Sequence, residues 1–127
     1  MRKFLLTAIL LFLGIRYGLK YITSEDFQKY GDREKAQWTC RVNNALGGLY
    51  QIGSEYRLAH DLFNRVLTRC PNSPMAEEAL FQKASCLENM NDPQQALAVY
   101  QEYRETFPNG DKVITATNAS ERIKFGR

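Results

Sequence analysis

Four positions recur at a fixed offset of 37 residues. Gly47, Ala59, Phe63 and Pro71 are followed by Ala84, Ala96, Tyr100 and Pro108, with the same gaps between them. An internal period of about 20–50 residues marks a solenoid, in which each unit buries its apolar face only against its neighbours. That constrains the fold more than any other feature of the chain. It also directs the search for function, because a stacked repeat works by presenting a surface.

Hydrophobic periodicity places the helices. Ser24-Glu25-Asp26 offers a capping hydroxyl followed by first-turn acids. A helix is expected from there to Ile52, with a break near Gly31-Asp32. Trp38, Val42, Ala45, Leu46, Leu49 and Tyr50 recur along it at three- and four-residue steps. Gly53-Ser54 is a turn. Tyr56, Leu58, Ala59, Leu62, Phe63, Val66 and Leu67 mark a second helix, which ends at Cys70-Pro71. Ser73 is placed to cap a third helix, with Pro74 in its first turn. That helix carries Ala76, Ala79, Leu80, Ala84 and Leu87. Asn91-Asp92-Pro93 opens a fourth, carrying Ala96, Leu97, Val99, Tyr100 and Tyr103. Asp111 is placed to cap a last helix through Val113, Ala116, Ala119 and Ile123. Small residues at 47, 59, 84 and 96 let paired helix axes approach, and the aromatics at 63 and 100 fill the space beside them.

This pattern resembles the tetratricopeptide repeat, from about Arg33 to Pro108, with 111–125 as a capping helix. The resemblance implies an all-α fold: a short α-solenoid of about two repeats plus a capping helix, preceded by an N-terminal hydrophobic helix. The stretches Cys70-Pro71-Asn72-Ser73-Pro74-Met75-Ala76-Glu77-Glu78-Ala79 and Phe107-Pro108-Asn109-Gly110-Asp111 are similar to the subgroup found in bacterial envelope proteins. That subgroup includes the Tol-Pal-associated periplasmic coordinator and the lipoprotein of the outer-membrane barrel assembly machine.

The 127-residue chain divides into 1–23, a signal-anchor or signal peptide, and 24–127, the repeat domain. Phe4 to Ile15 is an apolar run of twelve residues after Met1-Arg2-Lys3, the layout of a secretory signal. The cleavage site is poor, since Gly14 is preceded two places earlier by the bulky Phe12. An uncleaved anchor is therefore favoured over a cleaved signal. A buried or interfacial helix of a soluble protein is the third reading. As an anchor, Phe4 to Ile22 reaches about 30 Å, with Arg16 and Lys20 snorkelling and Tyr17 and Tyr21 at the interface. Basic residues flank both ends of the run and leave the orientation open; the N-terminal pair with the free amine favours the repeat domain outside. The expected location is the bacterial inner membrane with the repeat domain in the periplasm, or the periplasm itself after cleavage.

The net charge of +3 does not point to nucleic acid. Four of the 17 basic residues lie in the first 23 positions, leaving 13 against 14 acidic in the remainder. The repeat domain therefore lacks a basic stripe.

Under the resemblance, the first helix of each pair lines a concave groove. Its inward positions are Arg41, Asn44, Gly48 and Gln51, then Phe81, Ser85, Glu88 and Asn89, then Asn118 and Arg122. A polar groove with one exposed aromatic suits an extended peptide or a partner helix; a plain solvated face is the competing reading. The family's chaperone-tail-binding subgroup uses a basic and amide clamp in this groove. Here Gly48 replaces one amide and Glu88 brings the opposite charge, so that activity is not carried over. Gly47 is explained by close packing, whereas Gly48 has no packing role in this register.

Cys40 and Cys70 fall near the same end of a helix pair, within reach of a disulfide. Three reduced thiols packed as small hydrophobes are the competing and favoured reading, because composition does not reveal the compartment. Spacings of 30 and 16 residues between the three cysteines, with one histidine, do not make a zinc site. His60 has no nucleophile beside it, and Asn118-Ala119-Ser120 is a glycosylation triplet inside a helix. The expectation is a membrane-tethered, non-catalytic adaptor with no cofactor and no metal. Its partners are a peptide, helix or complex subunit, and the membrane through residues 1–22, not nucleic acid or a small-molecule substrate. An accessory subunit of a larger membrane complex is the alternative.

Overall fold

The computed structural model describes residues 2–22 and 33–126. They form α1 (Arg2–Ile22), α2 (Arg33–Ile52), α3 (Tyr56–Arg69), α4 (Met75–Asn89), α5 (Pro93–Thr106) and α6 (Val113–Phe125). The helix start expected at Ser24 and the break near Gly31 lie outside the described residues. From α2 onward each helix packs on the next, and α2 also touches α4.

The 37-residue offset is written into the backbone. The bounds of α5 lie 37 residues beyond those of α3. Ser54 and Asn91, one repeat apart, both adopt left-handed backbone, at φ 63° and 59°. Glu55 N donates to Tyr50 O at 2.8 Å, and Asp92 N to Leu87 O at 3.0 Å. The second turn repeats as well: Ser73 N donates to Cys70 O, and Gly110 N to Phe107 O. Asparagine tolerates the left-handed region because its amide can bond locally, whereas serine has less compensation.

The capping chemistry is less regular. Asp92 caps α5 by accepting from Gln95 N at 3.2 Å, with Pro93 at the first helical position. The cap expected of Ser73 does not form. Pro74 holds the N-cap of α4, and the Ser73 hydroxyl donates backwards to Cys70 O at 2.8 Å. Asp111 is not a cap either, since α6 begins one residue later, after Lys112.

Two apolar clusters hold the stack. Ala59, Phe63 and Val66 of α3 meet Ala79 and Cys86 of α4. Leu80, Phe81, Ala84 and Leu87 of α4 meet Ala96, Val99, Tyr100 and Tyr103 of α5 and Ala116 and Ala119 of α6. Each large apolar side chain so buried contributes roughly 1.5–3 kcal/mol.

Cys40 and Cys70 are joined by a disulfide, with Cα atoms 6.6 Å apart, so the favoured expectation of three reduced thiols is replaced. The bond clamps α2 to the end of α3. In the second repeat Glu77 holds the place of Cys40. Its carboxylate accepts from the Tyr103 hydroxyl at 2.8 Å and from Asp111 N at 3.0 Å. The Tyr103 oxygen in turn accepts from Lys112 N at 3.0 Å. A hydrogen-bond network thus does for α4, α5 and α6 what a covalent bond does for α2 and α3. Gly110 permits it, because a Cβ there would run into the Glu77 carboxylate and the Tyr103 hydroxyl.

α1 is a single helix of 21 residues whose apolar side chains from Phe4 to Ile15 are exposed. Among the described residues, no helix is long and apolar enough to cross a membrane. The uncharged run in α1 ends at Arg16.

Candidate binding groove

The first helices of the successive pairs, α2 and α4, touch, and α6 packs on α5. Their facing side chains meet at two points. Gln51 Nε2 donates to Ser85 Oγ at 3.3 Å, linking α2 to α4. Arg122 pairs with Glu88, linking α6 to α4. Both contacts join residues 34 positions apart. That is about one helical turn less than the 37-residue repeat, as expected for neighbouring helices displaced along their axes.

Four of the expected groove residues, Gln51, Ser85, Glu88 and Arg122, are therefore brought together as cross-links. Asn89 is exposed and donates to Ser85 O at 2.9 Å, within its own helix. Arg41 and Asn118 are exposed. Gly48 is half-buried, and a Cβ added there would meet nothing within 4 Å. The Oδ1 of Asn44 is buried without a hydrogen-bond partner.

Phe81 departs from expectation. It is not the exposed aromatic of the groove but a core residue, 9% exposed. Its ring centroid lies 5.7 Å from that of Tyr100 and 5.8 Å from that of Tyr103, and Lys112 Nζ sits 5.7 Å above it. Aromatic rings on α5 claim it, and the ammonium closes the remaining side.

Electrostatics reinforce the cross-links. The Tyr100 hydroxyl donates to Glu88 Oε2 at 2.9 Å. Burial and that carboxylate push its pKa well up. The hydrogen bond to Glu88 raises the Arg122 guanidinium further, so it stays charged. Burial pushes the Cys86 thiol up to about 11, leaving a poor nucleophile. His60 is paired with the adjacent Asp61 at 3.3 Å. Among the described residues no three His, Cys, Asp or Glu side chains gather to hold a metal. Ser120, the hydroxyl of the glycosylation triplet, is buried and donates to Ala116 O at 2.8 Å.

Sequence reasoning missed an apolar surface on α2. It read Trp38, Val42, Ala45, Leu46, Leu49 and Tyr50 as one helical recurrence. Leu46 faces inward, but Trp38, Ala45, Leu49 and Ile52 face out. The available signal was the width of the apolar arc, which exceeds what one packed neighbour covers.

No curated protein and no solved structure matches the chain. Residues 78–110, which comprise most of α4, all of α5 and the turn after it, match the family model of the tetratricopeptide repeat.

Proposed function

We propose that this chain is a non-catalytic adaptor of the bacterial envelope, tethered by α1 and binding a protein partner along the face of α2, α4 and α6. The observation that carries the reading is the polar face itself on a tetratricopeptide-type stack. The Gln51–Ser85 and Glu88–Arg122 contacts stiffen it, while Arg41 and the side-chain-free surface of Gly48 remain open to an extended peptide. Repeats of this family generally mediate protein–protein contacts, and the fold supplies a surface before it supplies chemistry.

Two further observations support the envelope location. The Cys40–Cys70 disulfide suits an oxidising compartment such as the periplasm. The apolar side chains of α1 from Phe4 to Ile15 are exposed, which favours a lipid environment. Arg16 and Lys20 sit one turn apart and can snorkel, so the full helix from Phe4 reaches about 28 Å. Release into the periplasm after cleavage is the second reading of location. The second reading of function, an accessory subunit of a membrane complex, draws on the exposed apolar side chains of α2.

A C-terminally tagged full chain, fractionated and weighed intact, tests the tether. Full mass in the membrane fraction supports it, a shortened soluble product indicates a cleaved signal, and a full-length soluble product overturns both. A photoreactive side chain at Gly48 tests the adaptor. It should capture one discrete protein, and Arg41→Glu should abolish the capture. A groove that captures nothing in the native membrane would sink the adaptor reading.

A further inference from the structure

The flank of α4 that seats on α3 is apolar, with Met75, Ala79 and Cys86 packed against Ala59, Phe63 and Val66. The positions 37 residues earlier, on α2, are Trp38, Val42 and Leu49. They are apolar too, yet Trp38 is 53% and Leu49 64% exposed. Ala45 and Ile52 extend the same stripe, and Ile52 is 84% exposed. The steps from 38 to 42, 45, 49 and 52 alternate four and three, the spacing of a helix-packing seam. The surface by which α4 stacks on the helix before it is therefore exposed on α2 at Trp38 and Leu49 and half-buried at Val42.

Among the described residues no repeat helix precedes α2 to cover it. Only the ten residues 23–32 separate α1 from α2, whereas α3 uses 14 and the turn into α4 five more. The repeat pattern also stops: the positions 37 before Ala59, Phe63 and Pro71 are Ile22, Asp26 and Glu34. A charged residue replaces the aromatic, and another replaces the proline.

The stripe is complementary to itself. Ala45 is its midpoint, with Trp38 and Ile52 each seven residues away. Two such helices crossing antiparallel at Ala45 set Trp38 of each against Ile52 of the other. Val42 and Leu49 fill the space between, and the small residue at the crossing lets the axes approach. Such a contact is isologous and closes with two copies. We propose that α2 docks on α2 of a second copy of this chain, forming a two-fold dimer centred on Ala45. This goes beyond the adaptor reading and stands whether or not α1 enters a membrane.

The stripe runs from Trp38 to Ile52, 14 steps along the helix and about 21 Å at 1.5 Å per residue. It is one helix wide, short of the roughly 800 Å² per partner of a standard interface. Association is accordingly weak and concentration-dependent.

Sedimentation of the full chain in detergent, over a hundredfold range of concentration, tests this. Monomer should give way to dimer, and Leu49→Lys should raise the midpoint concentration at least tenfold with the helical circular-dichroism signal unchanged. In parallel, Ala45→Cys should cross-link to a dimer under mild oxidation at least ten times more than Asn118→Cys on α6. A monomer at every concentration without cross-linking at position 45 overturns the proposal. So does a dimer indifferent to Leu49→Lys, which would be held through α1, or equal cross-linking at both positions.

Discussion

Gly47 of α2 lies directly against the ring of Phe63 of α3: a Cβ at position 47 would stand 2.8 Å from both Cε1 and Cζ. Its neighbour Gly48 meets nothing within 4 Å. Two adjacent glycines in one helix thus serve opposite ends. In the second repeat Ala84 and Tyr100 occupy the places of Gly47 and Phe63.

Gly47→Ala should destabilise the fold by about 1–3 kcal/mol despite alanine's higher helix propensity, because the buried ring has no room to retreat. Gly48→Ala should instead stabilise it by up to about 1 kcal/mol. Urea unfolding of both variants checks the pair. Equal effects would mean that the Phe63 contact is not the constraint.

Reducing the Cys40–Cys70 bond should cost about 3–4 kcal/mol, from the chain entropy of a closed loop of that size. The cysteines are 30 residues apart. Thermal unfolding with and without reductant reads the loss, and Cys70→Ser should reproduce it. Cys86, buried and with its pKa pushed up to about 11, should resist alkylation in the native state and react on unfolding.

Tyr103 predicts an alkaline limit. Burial, then the Glu77 carboxylate beside it, pushes its pKa up to about 12 from an ordinary 10. A raised folded value means that the native state holds the proton more tightly than the unfolded chain. The stabilisation is full below pH 10 and is lost as pH rises towards 12. Unfolding free energy measured across that window should fall, and phenolate absorbance should rise with the unfolding. Tyr103→Phe should lessen this fall, the rest of which belongs to Tyr100, and cost about 1–3 kcal/mol at neutral pH, since Lys112 N loses its acceptor.

Phe81→Ala should cost about 3–5 kcal/mol, as for a large aromatic removed from a core. A residue of an open groove would cost little in stability and affect binding alone. Denaturant unfolding therefore distinguishes the two placements directly.

The helices of the repeat domain were legible because each carries a recurrence of three and four residues, bounded by turn chemistry that returns after 37. Local physics sets those features, so the backbone turn at Ser54 and its copy at Asn91 follow from short stretches of chain. Gly47 and Ala84 were legible for the same reason, since a small residue opposite an aromatic leaves few arrangements.

What lay beyond such reading depends on three-dimensional neighbours. Phe81 falls on the inward-facing register of a concave helix, yet Tyr100, Tyr103 and Lys112 converge from α5 and the turn after it to enclose the ring. Cys40 and Cys70 are close because the α2–α3 turn returns the chain to the same end, and spacing alone cannot say whether the thiols meet. Trp38 and Leu49 look like core residues in the sequence, because composition records that a side chain is apolar but not whether a helix stands beside it. Periodicity specifies the face that each helix can bury; the position of its packed neighbours specifies which faces it does bury, and on α2 Trp38, Leu49 and Ile52 stay exposed.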